Sequence, residues 1–310
     1  MVHVVVGQGP VGATLAHHLA ADGRDVVVVS RSGPTDLPAG ARHVAADVAA
    51  PGALTAVARD LGVAPTAIYN CVNPPYHRWA RDWPPLHEAF LDAAEATGAV
   101  LVTTGNLYGH GPGSGVMRED TPLAATETKG AVRAAMWRAA RARHEASRVR
   151  ATEVRASDYL GPRAGAQAYY GDRLLGPLLA GRPLRPLGDP DAPHAVAYLP
   201  DFARALAAAA VTPAAWGHPW LAPHHPAESL RQVAGRFARA AGLPTPTIRP
   251  ISAPVLAAGA AFSPMLREVR RMSYQFTAPF ETDSTRSEAA LGLAPTPWEE
   301  ITAATLAARR

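Results

Sequence analysis

The stretch VVVGQGPVGATLA, residues 4–16, decides how this chain is read. Three valines of strand character run into Gly7, Gly9 and Gly12 in G-x-G-x-x-G spacing, and a segment of helical character follows at once. In such a turn the first glycine permits the tight bend, the second lets backbone approach a pyrophosphate, and the third lets helix pack closely on strand. The helix so opened aims its N-terminal N–H groups and the positive end of its dipole at phosphate charge. The spacing therefore predicts a dinucleotide-binding turn, with Gly7, Gln8, Gly9, Pro10, Val11 and Gly12 around the ligand. The plainer alternative is a structural turn.

Outward from the turn, β-branched runs of strand length recur at 2–7 (VHVVVG), 25–30 (DVVVVS), 66–72 (TAIYNCV) and 99–104 (AVLVTT). Helical stretches stand between them, at 11–23 and 84–98, each ending in a glycine suited to a left-handed cap. A long helix is expected from about 128 to 145, then a strand in RATEVRAS, 150–157. Alternation of this kind predicts an α/β fold, a doubly wound parallel sheet of Rossmann type, over residues 1–162. After Gly161 proline and glycine become frequent, and helices are expected near 200–210 and 227–241. Residues 163–310 read mainly as a smaller C-terminal substrate lobe, with segments near 195–210 interleaved with the sheet.

Composition excludes several classes. The net charge of +4 and pI near 9.5 come from arginines scattered along the chain, with no run of five like charges, so nucleic acid is not the expected partner. A single cysteine, Cys71, rules out an intramolecular disulfide and suits a reducing compartment. No run reaches the length of a membrane span, and the first residues carry no basic leader, so a soluble, cytoplasmic protein is expected. The histidine pairs 17–18 and 224–225 lack the spacing of a zinc site, and no metal is expected.

The end of the second strand bears on the nucleotide. An acidic residue there would hold the adenosine ribose, but this chain has Ser30, Arg31 and Ser32. A guanidinium flanked by hydroxyls suits a 2′-phosphate, which predicts NADP(H) as cofactor.

With these marks in view, the chain resembles the extended or atypical short-chain dehydrogenases/reductases of the NAD-dependent epimerase/dehydratase type. The resemblance rests on the glycine loop, AADV around Asp47, and TTGNLYG (103–109) in place of Ser-Ser-x-x-Val-Tyr-Gly. It continues through RASDYLGP (155–162) in place of Arg-x-x-Asn-x-x-Gly-Pro, YLPDFARAL (198–206), and TDSTRSEAALGLAPTPWEE (282–300). It implies that Asp47 and Val48 contact adenine, that Asn70, Cys71, Val72 and Ser157 border the cofactor, and that Thr104 is the catalytic Ser/Thr. It also gives a role to Lys129, the only lysine in the chain. In the family a lysine opening the long helix holds the nicotinamide ribose and lowers the pKa of a tyrosine four residues earlier. Here Ala125 stands at the tyrosine's place, so the proton must come from elsewhere. Tyr108 is the expected donor, with Tyr76 and His77 of NPPYHRW as alternatives.

The substrate side departs from the family as well. Asp158 replaces an asparagine and His194 an arginine that hold the pyrophosphate of sugar nucleotides in family members. A carboxylate beside a pyrophosphate is repulsive, so a smaller carbonyl or hydroxyl metabolite is expected, contacted also by Asn73 and Tyr159. Three functions stay open on the sequence. One is an NADP(H)-dependent oxidoreductase or epimerase-like enzyme; another is a non-redox isomerase, dehydratase or cyclase; the third is a non-catalytic NADP-binding sensor. A homodimer is compatible with each.

Overall fold

The computed structural model describes residues 1–166 and 168–309. The first six strands are β1 (Val2–Val6), β2 (Asp25–Ser30), β3 (Arg42–Ala45), β4 (Ala67–Asn70), β5 (Val100–Asn106) and β6 (Arg150–Ala156). Between them run α1 (Pro10–Ala21), α2 (Ala53–Arg59), α3 (Trp79–Thr97) and α4 (Thr128–Glu145). Later come β7 (Asp158–Leu160), α5 (Asp172–Leu179), β8 (Pro193–His194), β9 (Val196–Tyr198), α6 (Leu199–Val211), β10 (Pro219–Leu221), β11 (Glu228–Ser229) and α7 (Leu230–Ala240). The chain ends with α8 (Ala253–Phe262), α9 (Pro264–Arg271), α10 (Thr285–Leu291) and α11 (Trp298–Ala307).

Seven strands form one parallel sheet in the order β10-β6-β5-β4-β1-β2-β3. The strand order reverses between β1 and β4, and in open α/β sheets ligands bind outside the carboxyl ends at such a point. Alternate valines serve opposite faces. Val4, Val6, Val27 and Val29 join the core under α2, α3 and α4, whereas Val5, Val26 and Val28 join the core under α1 and α6. A sheet buried on both faces has little use for polar residues, hence the unbroken valine runs.

The expected α/β architecture and the helix over 128–145 are present, and three features differ from expectation. The α3 helix begins at Trp79, ahead of Pro84 and Pro85. Trp79, Trp83 and Phe90 are buried along its inner side, and that burial outweighs the hydrogen bonds the prolines forgo. Second, β10 returns from late in the chain to pair with β6, so the sheet itself draws on residues well beyond 162, while α6 packs on α1 in the segment expected to be interleaved. Third, the pair α8–α9 stands where no helix was expected. The remaining lobe packs α5, α7 and α11 around Leu175, Val233, Phe237 and Ile301. Asp201 in the first turn of α6 fastens the C-terminal segment to it, accepting from Thr296 N at 2.7 Å and Thr296 Oγ1 at 2.6 Å.

Burial holds three histidines neutral. His3, hydrogen-bonded to Tyr69 at 2.9 Å, and His87, hydrogen-bonded to the Met136 carbonyl at 2.9 Å, are both pushed down to about 4. Burial and then the Arg155 charge do the same to His110. The unfolded chain takes up these protons first, near 6.5, so stability is full above that value and is lost as pH falls toward about 4. For His87 alone the loss is about 3 kcal/mol. Urea midpoints measured at descending pH should fall across this window, and His87→Gln should flatten the decline.

Candidate functional site

The glycine loop is fixed by backbone contacts rather than by side chains. Gly7 has φ +106°, and a Cβ there would stand 2.7 Å from the Cys71 carbonyl oxygen. A Cβ on Gly12 would stand 1.9 Å from the Gly7 oxygen, so the third glycine is a packing requirement and turns away from the ligand side. At Gly9 a Cβ would meet nothing within 4 Å. Gly9 caps α1 without any side-chain hydrogen bond, and no acidic residue occupies the first turn. The first N–H groups of α1 therefore face open space.

That space is a cavity of about 1090 Å³ along the carboxyl ends of the strands. Gly7, Gln8, Gly9, Pro10 and Val11 line one end, joined by Ser30, Arg31, Ser32, Asp47, Val48, Cys71 and Val72. The Gln8 amide ties the two loops together, donating to Ser30 Oγ and accepting from Thr35 N at 2.9 Å. Ser30 Oγ in turn donates to the Ser32 carbonyl at 2.6 Å. Arg31 is exposed and has no ion-pair partner among the described residues. Asp47 Oδ1 accepts from Ala49 N at 3.1 Å, which fixes its loop.

At the other end Asn73, Tyr76, Thr104, Tyr108, Ser157, Asp158 and Tyr159 share the wall. Thr104 Oγ1 donates to the Asn70 carbonyl at 2.7 Å, leaving its lone pairs for the cavity. The Tyr76 hydroxyl donates to that of Tyr108, which frees the Tyr108 proton to be given onward. Burial, and then the Asp158 charge, push the Tyr108 phenol well up, so it is a hydrogen-bond donor and a weak acid. The expected donor thus faces the cavity as a hydrogen-bond donor and is poorly tuned for protonating a ligand.

Five of the expected site residues lie off the wall, Gly12 among them because it packs against the Gly7 carbonyl. Asn70 is buried beneath it, and its side-chain oxygen accepts from Val72 N at 3.4 Å. His77 is exposed on a short 3-10 turn before α3. His194 is buried behind Asp158. Lys129 is 1% exposed, with its ammonium 4.9 Å above the Tyr76 ring and paired with Glu268 of α9. Burial alone would raise the Glu268 carboxyl, but Lys129 and then Arg271 outweigh it and hold it low. The reason Lys129 is closed off is α9: the sequence offers no sign near Lys129 of a helix lying over it.

The cation that reaches the cavity from α4 is Arg133, one helical turn beyond Lys129. Its guanidinium lies 4.7 Å from the Trp79 ring and 4.6 Å from that of Trp83, and it donates to the Thr104 carbonyl at 3.0 Å. Its Nε is buried without a partner. In the sequence it is one arginine among many, and the four-residue spacing from Lys129 is the only signal. Gln275 and Phe280 also line the cavity from the C-terminal part of the chain. Among the described residues no cluster of three metal-ligating side chains occurs, and no helix is long and apolar enough to cross a membrane.

The family model described as NAD dependent epimerase/dehydratase matches residues 3–220. The chain belongs to that family. No curated protein matches it. Among solved structures it is similar to UDP-glucose 4-epimerase of Thermotoga maritima, solved with UDP-glucose, at 15% identity and TM-score 0.81, covering 100% of this chain and 99% of that one. It is similar to dTDP-glucose 4,6-dehydratase of Bacillus anthracis, solved with NAD, at 13% identity and TM-score 0.81, covering 100% and 96%. UDP-glucuronic acid 4-epimerase of Bacillus cereus, also solved with NAD, matches at 16% identity and TM-score 0.77, covering 99% and 96%. For this epimerase/dehydratase-family chain, the start of α4 matters most. Ala125 lies ahead of the helix, so Ala125 and Lys129 do not form a one-turn helical pair, whereas Lys129 and Arg133 do.

Arg133→Gln removes both the cation between two indoles and the donor to Thr104. Stability should fall by about 2 kcal/mol, checked by urea unfolding followed through tryptophan fluorescence.

Proposed function

We propose that this chain is an NADP(H)-dependent oxidoreductase or epimerase-like enzyme that acts on a small carbonyl or hydroxyl compound and not on a sugar nucleotide. The observation that carries the reading is one continuous cavity with the bare N-terminus of α1 and Arg31 at one end and Arg133, Tyr108 and Asp158 at the other. The open space over Gly9 fits a pyrophosphate, for which a Cβ would be an obstacle. Arg31, with no carboxylate paired to it among the described residues, suits a 2′-phosphate.

When bound, the nicotinamide dinucleotide supplies or takes up hydride. The chain's own residues bind and orient. Lys129 and Arg133 stand in the register of the family's Tyr-x-x-x-Lys, which gives Arg133 the lysine's part at the ribose end. A guanidinium packed against the Trp79 and Trp83 rings and tied to the Thr104 carbonyl is held in place, so it acts as a fixed donor and a fixed positive charge. The Tyr108 hydroxyl orients a substrate oxygen, and Thr104 accepts from a substrate hydroxyl.

The family's pyrophosphate anchors are replaced by a carboxylate and a buried imidazole. Asp158, with His194 behind it, offers a sugar nucleotide's diphosphate neither the amide donor nor the guanidinium charge that hold it in the family.

NADPH should bind at least about tenfold more tightly than NADH by calorimetry, because two charge-assisted hydrogen bonds outweigh desolvation. Arg31→Ala should remove most of that preference; equal affinities in the unaltered protein would refute NADP(H). Saturation-transfer NMR with UDP-glucose and dTDP-glucose should show no binding. Oxidation of NADPH with phenanthrenequinone, a generic carbonyl probe, tests for hydride transfer.

A further inference from the structure

At the substrate end of the cavity, Asp158 and His194 form a pair that neither nucleotide binding nor the packing of the sheet requires. His194 is 3% exposed and stacked between Phe276, at 5.1 Å and 12°, and Phe280, at 5.3 Å and 25°. Its Nδ1 lies 3.0 Å from the Gln275 carbonyl oxygen, which can only accept. Its Nε2 lies 3.0 Å from Asp158 Oδ2 and 3.3 Å from Ser157 Oγ. A neutral imidazole carries one N–H. With the proton on Nδ1, Nε2 could accept from the Ser157 hydroxyl but would hold its lone pair 3.0 Å from a carboxylate oxygen; with it on Nε2, a bare Nδ1 would face a carbonyl. Both contacts are satisfied at once when the ring carries two protons.

The surroundings leave this pair as the proton-exchanging group at this end of the cavity; Asp82, which also lines it, is paired with Arg78 and Arg81, and Asp47 lies at the glycine-loop end. Tyr76, Tyr108, Tyr159, Tyr169 and Tyr170 surround Asp158, and burial first, then in most of them the Asp158 charge, raises every one. Arg133 shares the cavity but cannot give up its proton. The Asp158 side chain is 24% exposed, onto the cavity, while His194 is sealed behind it.

We propose that Asp158 and His194 form an imidazolium–carboxylate pair holding one transferable proton, and that Asp158 passes this proton between the pair and the substrate oxygen. The catalytic half rests on the function proposed above. Hydride from the nicotinamide forms the new C–H bond, the carbonyl π pair moves onto oxygen, and the proton from the pair forms the O–H bond. His194 is left neutral beside the Asp158 carboxylate, and a solvent proton entering through the cavity restores it. In the reverse direction each transfer is inverted. Asp158 is then the catalytic residue, and His194 positions and recharges it.

The proton state is read without substrate by nitrogen-15 NMR of histidine-labelled protein. In the unaltered protein His194 should show two protonated ring nitrogens at about pH 7.5, where a free histidine has lost one. Asp158→Asn should return His194 to a singly protonated ring, and His194→Gln identifies the signal. A singly protonated His194 at that pH in the unaltered protein, or an unchanged ring in Asp158→Asn, would overturn the pair. With NADPH and phenanthrenequinone, Asp158→Asn should lower kcat about a hundredfold with KM nearly unchanged, the size general acid catalysis is worth. Unchanged kcat would overturn the transfer role. If the unaltered protein binds no nucleotide while His194 stays doubly protonated, the proposed function fails and the pair stands. If NADPH is turned over while His194 is singly protonated, the pair fails and the proposed function stands.

Discussion

The structure depends on how closely α1 crosses the sheet at its switch point. The Gly12 position has no room for a side chain against the Gly7 carbonyl, and Gly7 has none against Cys71. These two backbone contacts hold the helix N-terminus over the carboxyl ends of β1 and β4, where the strand order reverses and the loops diverge. The cavity is the space so opened. Its depth depends on the valine strands staying in register, with one set of alternate residues under α1 and α6 and the other under α2, α3 and α4. A slip of one residue would send each set to the wrong face.

Buried charge around the Tyr108 end of the cavity is arranged in compensated units, each differing from what the family leads one to expect. Arg133 is buried against two indole faces and a backbone carbonyl. Lys129 is closed off by Glu268, itself held low by Lys129 and Arg271. Asp158 faces the pocket with His194 behind it. A buried charge without a partner costs several kcal/mol. Changing the tyrosine and asparagine of the family pattern therefore requires partners nearby, and those partners come from α9 and from β8.

Much of the nucleotide half was legible because its signals are local. A strand, three glycines and a helix follow one another without interruption, and the backbone geometry of that turn admits few other residues. The run Ser30-Arg31-Ser32 follows directly on β2, so its place on the wall followed from the strand assignment. Tyr76, Tyr108 and Asp158 reached the wall because strand ends in a parallel sheet all point one way. Lys129 is the opposite case. Its rarity marked it as exceptional, but its surroundings depend on a helix 139 residues away in sequence, and nothing near it encodes that contact.

The sequence by itself determined the parallel sheet and the glycine turn, since each follows from spacings of two to five residues that constrain backbone directly, and its motifs carried the resemblance to the family. The tertiary structure decided which cation enters the cavity, how Thr104 and the tyrosines point their hydroxyls, and that Asp158 has an imidazole behind it. Those outcomes depend on packing between segments far apart in the chain. Whether a buried polar atom finds a partner at hydrogen-bond distance is settled only when those segments meet.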